Sequence, residues 1–365
     1  MRENWEIRKL GDICTIKNGR GQKAVENPNG RYPIYGSGGI MGYADDYICE
    51  AGTTIIGRKG TINKPIFVDC AFWNVDTAFG LQPNTSTNPR FLFLLCKSID
   101  FTRYNKSTTL PSLVKSDLLK IDVQVPSIAE QERIVAELDC LTGIIEKKKQ
   151  QLEELDKLAQ SIFYDMFGDP ITNEKGWEVR KLGDVCTIER GGSPRPITAY
   201  ITDAPDGINW IKIGDAREGS KYITSTAEKI KPEGMKKSRF VHKGDFILSN
   251  SMSFGRPYIL GVDGCIHDGW LVIRDTEQSF DKIYLYYYLS SGYMYGEFKK
   301  LAVGGVVNNL NSNLVRGVRV LIPEIEKQQE FAAIEKQIEA QKELVKQSIV
   351  ETETLFNSRM DYWFN

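Results

Sequence analysis

The sequence predicts a mixed α/β (α+β) chain in which two similar globular domains are separated by two long antiparallel helices with pseudo-two-fold symmetry. Three observations predict it. The stretch WEIRKLGDICTIKNG at Trp5 returns at Trp177 as WEVRKLGDVCTIERG, with eleven of fifteen positions identical. Alternating apolar segments end at Pro126 and at Pro323, and a helical apolar repeat follows each proline. The chain is therefore an internal duplication.

The two halves of the duplication share similar first and last segments, which we call the frame, and differ in the residues between them. The segments LLKIDVQVP and VRGVRVLIP alternate with period two and stop at proline, which is typical of a strand. GTTIIGRKGTINKP (52–65) aligns with GDFILSNSMSFGRP (244–257), and FLFLL from Phe91 resembles YLYYYL from Tyr284. Turn-rich stretches such as GSGGIMG and GGSPRP lie between them. We therefore expect short strands, long loops and a few helices in each half.

A long helix is predicted after Pro126. Ser127 and Glu130 form a capping box, and Gly168 and Pro170 are a plausible end. The apolar residues of the predicted helix–helix interface are spaced alternately four and three residues apart. Lys148 occupies the one position of this pattern that is not apolar. The apolar members are Ile134, Leu138, Leu141, Ile145, Leu152, Leu155, Ala159, Ile162 and Met166. About forty residues give a rod of roughly 60 Å with coiled-coil packing.

A second helix is predicted from near Glu324 to the C-terminus, with a weaker apolar pattern. Two similar domains tend to pack like a symmetric dimer, so the helices are expected to run antiparallel. The predicted segments are a first globular domain at 1–126, a central helical spacer at 127–169, a second globular domain at 170–323, and a C-terminal helical spacer at 324–365.

The composition is that of a globular protein, with 41% hydrophobic and 26% charged residues. No stretch approaches the 18 apolar residues of a membrane span, and MRENWEIRKL lacks the apolar core of a signal peptide. Seven cysteines without a C-x-x-C motif argue against a disulfide framework and a zinc site. Cys14 and Cys186 are expected to be buried core residues, and a reducing, cytoplasmic setting fits best.

The charge is unevenly distributed, although the net charge is only −1. Residues 1–126 carry 16 basic and 12 acidic residues, and residues 170–323 carry 21 and 17. The two helical spacers are acidic, with 5 basic and 10 acidic residues in 127–169 and 5 and 9 in 324–365. Nucleic-acid binding needs a basic face and not a basic chain, so the two domains are candidates for binding a polyanion.

Candidate DNA contacts lie in loops that combine glycine with arginine, lysine or asparagine. Arginine and lysine read guanine or hold phosphates, asparagine reads adenine, and glycine allows close backbone approach. The predicted DNA-binding residues are Arg20, Lys23, Arg58, Lys59, Asn63, Lys64, Arg195, Asn209, Lys212, Asn250, Ser251 and Arg256.

The sequence does not indicate an enzyme. Its two histidines, His242 and His267, both lie in the second half. GTTIIGRKGT resembles a phosphate-binding loop, but Arg58 stands where lysine should follow Gly57. No N-P-P-Y or D-P-P-Y tetrad of an amino-methyltransferase occurs. We therefore expect no catalytic residue, no cofactor and no metal on this chain.

Taken together, these motifs resemble the specificity subunit of type I restriction–modification systems over essentially the whole chain. The resemblance rests on the duplicated WE[IV]RKLGD[IV]CTI, on YPIYGSGGIMGY, on GRKGTINKP, on the two P-x-I-x-x-Q steps and on FYDMFGDP. It implies two target-recognition domains that each read half of an asymmetric bipartite site in double-stranded DNA. It also implies two methyltransferase (modification) subunits with S-adenosylmethionine, and restriction/translocase subunits that use ATP and Mg.

Two other classes stay open at this point. One is a tandem protein- or glycan-binding module on a coiled-coil rod, and the other is a structural tether that reads no sequence. Steep weakening of binding with salt would separate DNA binding from the first, and a bipartite footprint would separate it from the second.

Overall fold

The computed structural model describes residues 5–217, 219–250, 255–302 and 310–365. Its internal contacts divide the chain into two compact units. Unit 1 comprises Met1–Gln151 and Val345–Asn365, and unit 2 comprises Leu152–Leu344. Both boundaries fall inside the predicted helices, so each unit contains one globular region and part of each helix. The four-segment division made from the sequence stays a prediction.

Unit 1 begins with the duplicated segment and ends with helical residues. Its strands are β1 (Glu6–Lys9), β2 (Cys14–Asn18), β3 (Tyr32–Gly36), β4 (Gly39–Ala44), β5 (Thr53–Gly57), β6 (Ile66–Val68), β7 (Trp73–Asn74), β8 (Ala78–Pro83) and β9 (Asp122–Val125). Its helices are α1 (Leu10–Ile13), α2 (Pro89–Ser98), α3 (Lys115–Leu118) and the first part of α4 (Ile128–Phe167), with a 3-10 turn at Phe101–Tyr104.

The strands of unit 1 form two sheets and a separate pair. The larger sheet is antiparallel in the order β2-β8-β5-β6, and the smaller has the order β4-β3-β7 with β3 and β7 parallel. Strand β1 pairs with β9, placing Glu6 opposite Val125. The duplicated opening therefore pairs with the predicted strand that stops at Pro126.

Unit 2 repeats this order with additional strands. Its strands are β10 (Glu178–Lys181), β11 (Cys186–Arg190), β12 (Ile201–Thr202), β13 (Ile208–Ile211), β14 (Tyr222–Ile223), β15 (Glu228–Ile230), β16 (Arg239–Val241), β17 (Phe246–Ser249), β18 (Pro257–Leu260), β19 (Gly264–Ile266), β20 (Trp270–Asp275) and β21 (Arg319–Ile322). Its helices are α5 (Leu182–Val185), α6 (Lys282–Ser290), α7 (Gly292–Ala302), α8 (Ser312–Arg316), the last part of α4 and the first half of α9 (Ile325–Phe364), with 3-10 turns at Ile197–Ala199, Ile213–Asp215 and Pro232–Lys237. The second half of α9 belongs to unit 1.

The two units share a frame of strands. The order β11-β20-β17-β18 in unit 2 matches β2-β8-β5-β6 in unit 1, and β14 is added at its edge. The parallel pair β13 and β19 matches β3 and β7, inside the sheet β12-β15-β13-β19-β16. Strand β10 pairs with β21 as β1 pairs with β9. The predicted mixed α/β class with two similar domains is confirmed.

Equivalent residues of the frame meet the same packing demands. Cys14 and Cys186 are each 4% exposed, as predicted, and burial raises the pKa of both thiols to about 12. A Cβ on Gly19 would lie 1.8 Å from the carbonyl oxygen of Val75, and one on Gly191 would lie 2.2 Å from that of His267. Only glycine fits where the strand leaves the sheet so close to another backbone.

A buried glutamine explains the first P-x-I-x-x-Q motif. Gln131 is 1% exposed, and its Oε1 accepts the N–H of Asn88, the residue that caps α2, at 2.8 Å. Its Nε2 donates to the carbonyl oxygens of Pro126 (3.0 Å) and Ser86 (3.3 Å). One side chain thus ties the start of α4 to the start of α2.

The second motif repeats this arrangement in unit 2. Gln328 is fully buried, and its Oε1 accepts the N–H of Asp281, the cap of α6, at 2.8 Å. Its Nε2 donates to the carbonyl oxygens of Pro323 (2.8 Å) and Ser279 (3.0 Å). The motif is therefore a structural joint between a globular region and its helix.

The two long helices pair antiparallel within each unit. Both are forty residues long, and α4 begins beside Ser127, whose Oγ accepts the N–H of Glu130 at 3.4 Å. In unit 1, Glu137 binds Arg359 and Lys148 binds Ser348. The residue numbers of the contacts increase along α4 while those of their partners on α9 decrease. The two helices therefore run antiparallel, as the sequence predicted.

The same direction holds in unit 2. Lys342 donates to Asp156 at 2.6 Å, and the ring of Phe163 lies 5.4 Å from that of Phe331. Helix α4 ends at Phe167, and Gly168 follows with a φ of +77°, the conformation of a glycine helix cap. The predicted end of this helix is confirmed.

Candidate nucleic-acid interface

One end of the large sheet in unit 1 gathers three of the predicted basic residues. The Arg58 N–H donates to the carbonyl oxygen of Thr77 at 2.8 Å, and its guanidinium donates to that of Asp76 at 3.3 Å. The Arg20 N–H donates to the carbonyl oxygen of Asn74 at 2.9 Å. The Lys59 N–H also donates to Thr77, at 3.2 Å. We call residues 19–20, 58–60 and 74–77 the unit 1 edge.

A further segment that sequence reasoning missed joins the unit 1 edge. The Leu113 N–H donates to the carbonyl oxygen of Arg58 (2.9 Å), and the Gly60 N–H donates to that of Pro111 (2.9 Å). These bonds hold the run NKSTTL (105–110), in which all residues except Ser107 are exposed, beside the basic loop. The run has no apolar periodicity and contains a lysine and several hydroxyl side chains. Side chains of these types bind phosphates, so this composition is the signal in the sequence that could have identified the run.

The remaining predicted residues of the first domain have different surroundings. Asn63 is exposed, but its Oδ1 accepts the N–H of Phe101 at 2.8 Å and so supports the 3-10 turn. Lys64 is exposed just before β6, at the same end of the β5–β6 hairpin as Arg58. Lys23 is exposed in the turn that follows β2.

Unit 2 builds the equivalent edge with other side chains. The Asn250 N–H donates to the carbonyl oxygen of Gly269 at 3.0 Å, and the Leu310 N–H donates to that of Asn250 at 3.0 Å. Asn250 therefore occupies the place of Arg58, in agreement with the sequence alignment. We call residues 191–192, 249–250 and 266–269 the unit 2 edge. Ser251, which corresponds to Lys59, lies outside the described residues.

The Asn250 side chain is buried, whereas Arg256 is exposed. Asn250 is 2% exposed, and its Nδ2 donates to the carbonyl oxygen of Asp268 at 3.0 Å, so the amide shapes the unit 2 edge. Arg256 closes the same hairpin, since its N–H donates to Ser249 Oγ at 3.1 Å. Arg256 immediately precedes β18, which begins at Pro257. Lys64 has the equivalent position in unit 1, because Pro65 follows it and β6 begins at the next residue.

A cleft of about 670 Å³ lies beside the unit 2 edge. Among its lining residues, the Arg195 side chain is 82% exposed, with its Nη2 3.8 Å from Asp268 Oδ2. Lys212 also lines it, but its Nζ donates to Glu228 at 2.5 Å. Asn209 is engaged within the protein, donating to the carbonyl oxygen of Asp263 at 2.8 Å. Of these three predicted residues, Arg195 projects furthest into solvent.

Asp268 gives the cleft a fixed negative group. Burial opposes its ionisation, but the Ser193 hydroxyl at 2.7 Å and His267 at 3.0 Å hold the pKa of Asp268 below its usual value. The carboxylate is therefore ionised at neutral pH. An ionised aspartate accepts hydrogen bonds, for instance from the amino group of cytosine, while arginine donates to guanine or phosphate.

Within residues 5–217, 219–250, 255–302 and 310–365, histidine, cysteine, aspartate and glutamate form no group of three or more able to hold a metal ion. In the same ranges, no helix combines the length and apolarity needed to cross a bilayer.

The geometry of the two edges defines a class of protein. A duplicated frame holds different polar and basic side chains at equivalent edges, which is the design of a tandem recognition protein. The family model of the type I restriction modification DNA specificity domain matches residues 2–157 and 174–354. The chain belongs to this family of DNA specificity subunits and carries two copies of the domain. The predicted family is confirmed.

Individual relatives agree with the family. The type I restriction enzyme MjaIX specificity subunit of Methanocaldococcus jannaschii is 27% identical over 272 residues, and the alignment spans 62% of each protein, under two thirds of that relative. A putative type I restriction enzyme specificity subunit of Haemophilus influenzae is 23% identical over 90% of this chain and 86% of the relative.

Solved structures show the same fold. The type I restriction-modification S subunit from M. genitalium has a TM-score of 0.57 and 15% identity, covering 99% of this chain and 96% of that one. A chain from a structural study of complex assembly and conformational transition of the type I R-M system has a TM-score of 0.65 and 18% identity, covering 99% and 97%. At these identities the likeness concerns the fold alone.

Proposed function

We propose that the unit 1 edge and the unit 2 edge each read one half of an asymmetric bipartite site in double-stranded DNA. The observation that carries this proposal is the equivalence of Arg58 and Asn250. Both residues make the same main-chain bonds on the same frame, yet their side chains differ in size, charge and exposure. A shared frame with different edges suits two different half-sites.

The reading residues are proposed from their positions at or beside the two edges. In unit 1 they are Arg20, Arg58 and Lys59, with the run 105–110 on the phosphates. In unit 2 they are Arg195 and Arg256, which lie beside the unit 2 edge. Asn209, Lys212 and Asn250 support the surface through bonds inside the protein. Predicted globular domains 1–126 and 170–323 are thus the proposed recognition segments.

The helices are the proposed docking surface for partner subunits. Both helices carry exposed large apolar side chains, which a docked partner subunit would cover. These exposed residues are Ile128, Ile144, Leu158, Tyr164, Leu344, Val350, Leu355 and Tyr362. We infer that two modification subunits, which would supply S-adenosylmethionine, dock here in the cytoplasm, and that restriction subunits using ATP and Mg join them.

The testing experiment compares DNA methylation in host cells with and without this chain, expressed with its modification subunits. The proposal expects one bipartite, non-palindromic motif that depends on the chain. Binding of the purified complex to that motif should weaken steeply with salt because counterions are released. Salt-insensitive binding with no motif would instead favour a tandem protein- or glycan-binding module.

Replacing Arg58 and Lys59 together by alanine should relax only the half of the motif read by unit 1. Each lost base contact costs about 1–3 kcal/mol of discrimination, whereas a lost phosphate contact weakens all sequences alike. Methylated-motif sequencing measures this. Arg8→Ala is the control, because Arg8 lies on β1, outside the large sheet. Equal relaxation of both halves would contradict the assignment.

Arg256→Ala should relax only the other half of the motif, by the same physical argument. The change leaves the hairpin bonds of its main chain in place, so the fold should persist. The same sequencing reports the outcome. Arg319→Ala is the matched control, because Arg319 is an exposed arginine on β21, which pairs with β10 outside the sheet that contains β18. An unaltered motif would remove Arg256 from the reading residues.

A further inference from the structure

The hairpin formed by β3 and β4 carries two exposed apolar side chains close to its tip. The strands pair up to Gly36 opposite Gly39, which leaves only Ser37 and Gly38 in the turn. Beyond the tip, Ile40 is 57% exposed and Met41 is 59% exposed. Two neighbouring apolar side chains so open to water cost free energy in the isolated protein, so their position asks for an explanation.

A β-bulge sets the direction of these side chains. Ile34 pairs with Gly42 and Tyr35 pairs with Ile40, so Met41 is the extra residue of β4. A bulge interrupts the strict alternation of side chains and redirects them. A Cβ on Gly36 would lie 2.6 Å from the Met41 sulfur, so the glycine is what lets Met41 lie across the hairpin. The tip is built to present this pair.

The hairpin tip lies against the unit 1 edge. A Cβ on Gly57 would be 3.0 Å from the Ser37 Cβ, and one on Gly60 would be 3.8 Å from its Oγ. Gly57 and Gly60 flank Arg58 and Lys59. The exposed apolar pair therefore borders the basic loop, and a ligand held by that loop comes within reach of it.

The chemistry of the surface selects the occupant. The adjoining basic residues attract a polyanion, and the groove of a duplex that admits a two-stranded ribbon is the major groove. The apolar group displayed in that groove is the C5-methyl of thymine. We propose that Ile40 and Met41 contact a thymine methyl in the half-site read by unit 1. This inference rests on the proposed function and adds a specificity determinant to it.

The contact should be confined to one half-site. In unit 2, β13 corresponds to β3, but it leads into the 3-10 turn Ile213–Asp215 and on through β14 before reaching β15. The short glycine hairpin of unit 1 is thus replaced by a different connection. The thymine requirement is accordingly expected in the word that Arg58 and Lys59 read.

The experiment uses the complex of the chain with its modification subunits and duplexes carrying the motif found by methylation sequencing. Each thymine is replaced in turn by uracil, which removes the methyl group and keeps the base-pairing groups. For the wild-type chain, one uracil in the unit 1 half-site should weaken binding about four-fold, the value of one methyl group removed from water. In the I40A/M41A variant that uracil should make no difference.

The control variant is Ile171→Ala, since Ile171 is 73% exposed but lies in unit 2, outside both edges. It should keep the four-fold uracil effect. The inference is overturned if no thymine of that half-site responds to uracil, or if I40A/M41A responds as the wild type does. A wild-type chain that specifies no motif at all would instead refute the proposed function, so the two failures are distinguishable.

Discussion

Replacing Lys221 by methionine should lower the free energy of unfolding of unit 2 by about 3–5 kcal/mol, the usual cost of leaving a buried charge without its partner. The Lys221 side chain is 10% exposed and binds Glu335, whose side chain is 4% exposed. Lys221 also lies 3.0 Å from Glu339 and 5.3 Å from the ring centre of Tyr287. The substitution would remove the cation that pairs with the buried Glu335 carboxylate and leave it the weak hydrogen bond from the Tyr287 hydroxyl at 3.5 Å.

Burial lowers the pKa of Lys221, although Glu339 accepts a hydrogen bond from it. Desolvation thus opposes the charged form, and the attraction within a buried ion pair only about offsets that cost, so the pair itself adds little net stability. The double variant K221M/E335L should therefore recover most of the loss, because an apolar pair of similar size can replace a buried ion pair. Thermal and denaturant unfolding of the chain measure both changes.

Lys327→Met is the matched control. Lys327 is exposed on α9 and forms an ion pair with Glu330 at the surface, where such pairs contribute little. It should change unfolding by well under about 1 kcal/mol. If K221M proved as stable as K327M, the Lys221 network would not hold the segment before β14 to the helices.

Gln328→Leu should destabilise unit 2 by about 3 kcal/mol. The leucine would leave the Asp281 N–H and the carbonyl oxygens of Pro323 and Ser279 without the partners they have now, and each unpaired buried group costs about 1–3 kcal/mol. For a unit of this size the unfolding temperature should fall by roughly 2–4 °C per kcal/mol. Calorimetry of the chain would resolve the change.

The neighbouring residue supplies the control. Gln329 is exposed on the same turn of α9, so Gln329→Leu should be almost neutral. Gln131→Leu should reproduce the large effect in unit 1, because Gln131 makes the equivalent three bonds. A small effect of Gln328→Leu, equal to that of Gln329→Leu, would show that water or a shifted backbone replaces the amide.

Sequence periodicity was sufficient for the helices and for the frame. The side-chain cap from Ser127 to the Glu130 N–H, the glycine after Phe167 and the strands before Pro126 and Pro323 are all where the local pattern predicted them. A cap or a helix end depends on contacts within a few residues of the chain. A helix or strand that buries one face needs apolar residues at its own structural period, which is visible in the sequence. The ungapped alignment of Arg58 with Asn250 also matches their equivalent main-chain bonds.

The roles of individual loop residues could not be predicted in the same way. Asn63, Asn209 and Lys212 have the residue types of a DNA contact, yet each is engaged with a group distant along the chain. Conversely, the run 105–110 joins the unit 1 edge through bonds that span more than fifty residues. Spacing in a sequence carries no record of such long-range pairing.

By itself the sequence determined the duplication, the two long helices, the buried cysteines and the family, because local periodicity or repeated sequence motifs are sufficient to identify each of them. Only the tertiary structure decided which loops share an edge, that a bulge at Met41 turns two apolar side chains outward beside Arg58, and that Lys221 is buried against Glu335. The physical reason is that exposure and pairing belong to the packed chain: the same lysine or methionine is solvated or buried according to what folding brings against it.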